Sequence, residues 1–332
     1  MENEGDIQLQ LFQRIRDQIP EHVSLVDEIA DILEVSNDSA YRRIRGEKPI
    51  SIHEVEKLSK VFSLSVDDLT GSRFDTVTFM TSFLDGENHS FTDWLKNLLQ
   101  FITEAGQSEQ SEIIFILNEL NIFHLIQFPE VCAFKLFFWQ KSNLDFPDYK
   151  EARFSTENLD DTILNLSKEI TDLFVKVNTI EFTTRECLNS YLKQVLYYSE
   201  AGYFNSRNDA LKVCEKLHEL VIHQQKQAEL GCKFAFGSPA VGKDGNFQLY
   251  HNDIILADNT VMVKAGEYQA TYLTSNAINL MQTHNKAFFE YNYNWGMNLL
   301  SKSVPISGTA EKERNKFFLI LQEQINQVSD RL

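Results

Sequence analysis

At 332 residues the chain is long enough for two or three domains, and its 43% apolar content is that of an ordinary globular protein. Its 31 basic and 48 acidic residues give a net charge of −17, so the molecule as a whole repels polyanions and any attraction to one has to come from a local patch. The cysteines Cys132, Cys187, Cys214 and Cys232 lack CxxC or Cys/His spacing, which argues against a disulfide framework or a zinc site and for idle thiols in a reducing cytoplasm.

The first residues, Met-Glu-Asn-Glu-Gly-Asp, lack the positive start and apolar run of a signal peptide. Ile7 to Ile19 reads as an amphipathic helix with Leu11, Ile15 and Ile19 inward, ended by Pro20. From Ser24 to Leu69 the apolar residues form three short stripes: Leu25, Ile29, Ile32 and Leu33; Ala40 and Ile44; Val55, Leu58, Val61 and Phe62. Ser36 is placed to cap the middle helix, Ser51 to Glu54 is a capping box for the next, and Ser65 to Asp68 starts a last turn. Gly46 stops the middle helix and Pro49 blocks its resumption. Helices this short must share one core.

The middle helix has a second face. At 100° per residue, Asp38, Tyr41, Arg42 and Arg45 point one way with Asn37 and Ser39 at the edges, opposite Ala40 and Ile44. Arg42, Arg43, Arg45 and Lys48 place four positive charges in seven residues beside one acid, Glu47, although residues 1–71 hold 15 acids and 8 bases. Such a face suits base edges and phosphates, and it is the pattern of a recognition helix. The bland alternative is a solvated basic face on a protein-docking module.

Residues 7 to 70 resemble the Cro/XRE-type helix-turn-helix domain of bacterial transcriptional regulators. The resemblance rests on Ile29-Ala30, Val35-Ser36, Arg45-Gly46-Glu47-Lys48-Pro49 and Leu64-Ser65-Val66-Asp67-Asp68-Leu69, together with the run Ser39 to Lys48. Two positions depart from the pattern: Glu34 stands where the turn often has Gly, and Arg43 where the third helix is usually apolar. Tyr41 and Arg43 therefore stay open between base reading, phosphate contact and packing. The resemblance implies a dimer acting on paired half-sites.

Beyond Gly71, alternating Val77, Phe79, Thr81 and Phe83 suggest a short strand or extended linker. Ser90 to Gly231 reads mainly as helix: one from Ser90 through Ile102, an apolar one over Val131–Lys141, one over Asn158–Val177, one through Leu188–Tyr198 after Thr183, and one over Ser206–Gln227. Ile113 to Leu117 is open between strand and buried helix. The run Val131–Trp139 is too short to span a bilayer and contains Lys135. After Gly231, Lys233–Phe236, Asn246–Tyr250, Asp253–Ala257, Thr260–Lys264 and Glu267–Leu273 read as short strands of an antiparallel meander, with turns at Asp244-Gly245, Asp258-Asn259 and Gly266. Helices are expected over Ser275–Met281, Asn285–Leu300 and Thr309–Val328; the last carries Phe317, Phe318, Leu321, Ile325 and Val328 as a stripe to cover the sheet or meet a second subunit.

Gly237 to Asp244 nearly spells a P-loop, but Asp244 replaces the magnesium-binding hydroxyl and a turn and strand follow where a helix is needed. The eight histidines show no HExxH spacing and read as surface or core residues. The aromatic runs around Phe134–Trp139 and Phe288–Trp295 read as core, or as the lining of an effector pocket or dimer surface.

The expected fold is mainly α: a helix-turn-helix bundle over 1–72, a helical region over 77–230, and an α+β region with a small antiparallel sheet over 231–332 for dimerisation or effector sensing. The expected function is a cytoplasmic, sequence-specific DNA-binding transcriptional regulator, with no catalytic residues, metal or cofactor and no membrane contact. Its partners would be double-stranded DNA, a second copy of the chain, and a small-molecule or protein effector of open identity. Asn37, Asp38, Ser39, Tyr41 and Arg42 form the base-facing set, Arg43, Arg45 and Lys48 the phosphate-facing one, and the helix cap Ser36 belongs to the DNA-binding set with them. The rivals are a protein-interaction module or helical scaffold without DNA binding, and an enzyme with its site in the C-terminal region.

Overall fold

A computed structural model describes residues 7–19, 23–62, 64, 76–81, 90–106, 108, 110–157, 159–253, 259–276 and 278–332, and serine caps start three of the N-terminal helices. Helices α1 (Ile7–Gln18), α2 (Leu25–Leu33), α3 (Asn37–Ile44) and α4 (Ile52–Val61) follow the expected order. The hydroxyls of Ser24, Ser36 and Ser51 accept from the amides of Asp27, Ser39 and Glu54, each satisfying an orphan donor of a first turn. The shared core is Leu11, Phe12, Ile15, Ile29, Ala30, Leu33, Ala40, Ile44 and Leu58. Phe12 joins this core without having been expected there, and Val61, expected inside, is exposed. The turn expected over Ser65–Leu69, apart from its first flanking residue Leu64, lies outside the described residues.

The chain divides into Met1–Thr78 and Phe79–Leu332. The second unit is built on one mixed sheet, with the strands β1 (Met80–Thr81), β2 (Glu112–Ile116), β3 (Asn178–Thr183), β4 (Phe247–His251), β5 (Thr260–Ala265), β6 (Tyr268–Ser275), β7 (Asn279–Thr283) and β8 (Val304–Pro305). Their order is β1-β7-β6-β5-β2-β3-β4-β8. β2, β3 and β4 run parallel and the remaining pairings are antiparallel.

Several expectations change here. The fold is mainly α, but the sheet is larger than expected and is not purely antiparallel. It also crosses the boundary placed near residue 231, because β2 and β3 from one side pair with β5 and β4 from the other. Ile113–Leu117 is strand, buried on both faces: Ile113 and Phe115 pack one way, Ile114 and Ile116 the other. β3 was hidden in a stretch read as helical, since Thr179 and Glu181 break its apolar run. Where a helix over Ser275–Met281 was expected, Ser275 ends β6 and Asn279 to Met281 lie in β7, while Lys233–Phe236 is not a strand. Of the expected strand Asp253–Ala257, all but Asp253 lies outside the described residues.

Helices α5 (Phe91–Ala105), α6 (Ile122–Leu125), α7 (Pro129–Phe138), α8 (Asp161–Phe174), α9 (Asn189–Glu200), α10 (Arg207–Leu230), α11 (Lys286–Leu300) and α12 (Glu311–Ser329) clothe the sheet. α5 and α8 cover β2, β5 and β6 on one face, and α11 covers the other through Phe289 and Leu299. The stripe on α12 is spent inside the chain, against α10.

Charged groups are buried at the centre. The Lys233 ammonium donates to Val177 O and Thr179 Oγ1, both at 2.7 Å, and to Asn246 O at 3.1 Å. Glu181 Oε2 lies 3.1 Å from His124 Nε2 and accepts from Asn121 Nδ2 at 3.2 Å. A buried carboxylate is tolerable only with such partners. His223 packs nearby, with Nε2 3.0 Å from Phe234 O.

Burial, with a smaller contribution from His124, holds the His223 pKa down to about 4 against an ordinary 6.5. The unfolded chain then binds more protons between those values, so stability is full above about pH 6.5 and falls as pH drops toward 4. Urea titrations at pH 7 and pH 4.5 should show a loss of up to about 3 kcal/mol from this group. His223→Gln should flatten that part of the profile.

Candidate nucleic-acid interface

The face of α3 that reaches solvent is set by the residues that do not. Ala40 and Ile44 are buried in the shared core, and Arg43 lies beside them, 6% exposed. Its Nη1 donates to Ser39 O at 3.1 Å and to Ser39 Oγ, and its Nη2 donates to Glu54 Oε1 at 2.7 Å. Glu54 also accepts from the Ser51 amide at 2.8 Å, so one carboxylate caps α4 and pins α3. Burial would raise the Glu54 pKa, but the Ser51 amide and the Arg43 guanidinium outweigh it and hold it low.

Arg43, expected at a phosphate, is therefore a packing residue. It sits about 100° around the helix from Arg42, which carries it from the outer face to the edge of the core. That leaves Ser36, Asn37, Asp38, Tyr41, Arg42, Arg45 and Lys48 exposed and Ser39 half-buried. Among the described residues, no side-chain hydrogen bond or ion pair engages Arg42 or Asp38. Arg45 Nη1 donates to the Tyr41 hydroxyl at 3.0 Å, and its Nε lies 3.2 Å from Glu47 Oε1. Asn37 Nδ2 donates to Asp27 Oδ1 at 2.6 Å, tying the start of α3 to α2. Lys48 Nζ donates to Ser39 Oγ at 3.3 Å.

Two supports escaped sequence reading. Gln8 on α1 donates to Arg43 O at 2.7 Å and Lys48 O at 2.8 Å, and accepts from Ile50 N at 2.9 Å. One amide side chain thus braces the loop that carries Arg45 and Lys48. Nothing local marks Gln8, since its partners lie some forty positions on. Glu54 was legible as the third residue of a capping box, but not as the partner of Arg43. The turn between α2 and α3 puts Glu34 at φ 56°, a left-handed conformation, with Val35 N donating to Ala30 O at 2.9 Å.

The loop from Gly237 to Asp244 does not form a nucleotide cradle: after Lys243 the chain turns at Asp244-Gly245 and enters β4. Gly242 is there because a Cβ would come within 2.2 Å of Lys233 O. Among the described residues, no group of three or more His, Cys, Asp or Glu is placed to hold a metal ion. No described helix is long and apolar enough to cross a membrane. The four thiols are free and buried, and burial raises each above its ordinary pKa.

Arg43→Ala should cost the first unit about 3 kcal/mol by stranding Glu54, whereas Arg42→Ala should stay within about 0.5 kcal/mol. Amide hydrogen exchange across α2 to α4 reads both. Glu34→Gly should slow the same exchange, gaining about 1 kcal/mol by removing the left-handed penalty.

Residues 8–77 match the family model described as the BetR domain, and this part of the chain is a helix-turn-helix-like regulatory domain. No curated protein and no solved structure matches the chain.

Proposed function

We propose that this protein is a sequence-specific DNA-binding transcriptional regulator of the Cro/XRE kind, and that it works in the cytoplasm. The observation that carries the reading is the outer face of α3 and the loop that follows it, where Arg42, Arg45 and Lys48 stand exposed while the inner face of the helix is locked. Two short helices, α2 and α3, meet at a tight turn, which is the arrangement that sets a second helix into the major groove. The match over residues 8–77 to a regulatory domain supports it as well.

In this reading Arg42 and Tyr41 face base edges, and Arg45 and Lys48 face phosphates. Asn37, Ser36 and Ser39 sit at the start of α3, where backbone amides also favour phosphate. Asp38 discriminates: a carboxylate in the groove is repelled unless it accepts from a cytosine amino group. Three exposed cations make a weak grip on a molecule of charge −17. Two copies on paired half-sites would double it, so the reading includes a homodimer. It assigns the chain no catalytic chemistry.

Selection of bound duplexes from a random pool tests this directly. Arg42→Ala combined with Arg45→Ala should abolish binding while the α2–α4 amides keep their protection; unchanged binding would overturn the reading. With Arg45 and Lys48 on phosphates, log K should fall with log salt at a slope of about −2 per domain, or about −4 for a dimer.

A further inference from the structure

The second unit contains a cavity between α5, α7 and the face of the sheet made by β2, β5 and β6, with a volume of about 110 Å³. That is room for a small organic body of about one ring or a short chain. Its walls are rings and branched side chains, among them Trp94, Phe101, Phe115, Trp139 and Tyr272. Among the described residues one cation lines it: Lys135, on α7, itself only 4% exposed.

A lysine at this depth is expensive unless its charge is answered. Lys135 Nζ has three donors. Two find acceptors, Glu119 Oε2 at 3.2 Å and Gln194 Oε1 at 3.4 Å, both at the long end of the range. The ammonium otherwise faces aromatic rings, 5.3 Å from the centroid of Trp139 and 6.0 Å from that of Tyr191. The Glu119 side chain, 40% exposed, reaches solvent and is free to give up this contact. Burial lowers the Lys135 pKa, which marks how poorly the cation is solvated where it stands.

We propose that this cavity is a binding site for a small organic monocarboxylate, with an aromatic ring or short hydrocarbon body among the rings and its carboxylate on Lys135. The carboxylate supplies the third acceptor and displaces Glu119 toward solvent. The apolar body gives affinity, and the lysine gives the preference for acid over neutral analogue. The assignment stands apart from the DNA-binding reading, since every lining residue belongs to the second unit.

The probes are 3-phenylpropanoate, octanoate and the neutral 3-phenylpropanamide, added to the full chain without DNA. Trp94 and Trp139 report as intrinsic fluorescence, and calorimetry gives the affinity. Either acid should bind at least tenfold more tightly than the amide, as expected for a hydrogen bond to a charged group. Lys135→Met, which keeps the apolar stem, should erase that preference and leave amide binding within about threefold. Glu119→Gln should tighten acid binding, because it removes both the competing carboxylate and a like charge. Equal binding of acid and amide by the wild-type chain overturns the proposal, as does no binding of either acid. If Lys135→Met fails to fold, unchanged or weakened acid binding in Glu119→Gln overturns it in its place.

Discussion

Everything proposed for the first unit depends on one ion pair, Arg43 with Glu54. A buried guanidinium without a counter-charge is costly, and Arg43 lies against Ala40 and Ile44 in a core of nine buried residues. Its partner is already committed at the start of α4 through Ser51, so the pair joins two helices and sets the rotation of α3 about its own axis. With Arg43 held inward, Arg42 and Arg45 have to point out. The rotation decides which side chains could meet a duplex, and packing rather than charge decides the rotation.

The exposed patch is sparse as a result. Of four basic residues between Arg42 and Lys48, one is neutralised within the fold and Arg45 shares its charge with Glu47. The remaining field is small against a molecule of net charge −17. Rigidity compensates in part: Gln8 braces the loop, Asn37 ties α3 to α2, and serine caps fix the helix starts. A few charges held in place lose less entropy on binding than many flexible ones.

The second unit uses buried polarity differently. Glu181, His124, Asn121 and Lys233 occupy the face of β3 opposite Ile180 and Phe182, so one strand is apolar on one side and ionic on the other. The Lys233 ammonium is fully satisfied by three oxygens, whereas Lys135, elsewhere in the unit, is not. That contrast separates a lysine whose three donors are all used from one with a donor to spare.

The sequence by itself determined the first unit almost completely: four helices, their caps, the stop at Gly46 and the outward placing of Arg42 and Arg45. These are local properties, encoded in periodicity and in capping residues a few positions apart. It also revealed the long helices of the second unit and the hairpin strands around Gly266. Only the tertiary structure decided the inward turn of Arg43, since a charged residue reads as surface until its partner eleven positions on comes into view. The role of Gln8, the strand β3 and the joining of two expected regions into one sheet were likewise invisible. Parallel pairing joins segments tens of residues apart, and a strand with Thr179 and Glu181 on one face carries no period that distinguishes a buried ionic face from an exposed polar one.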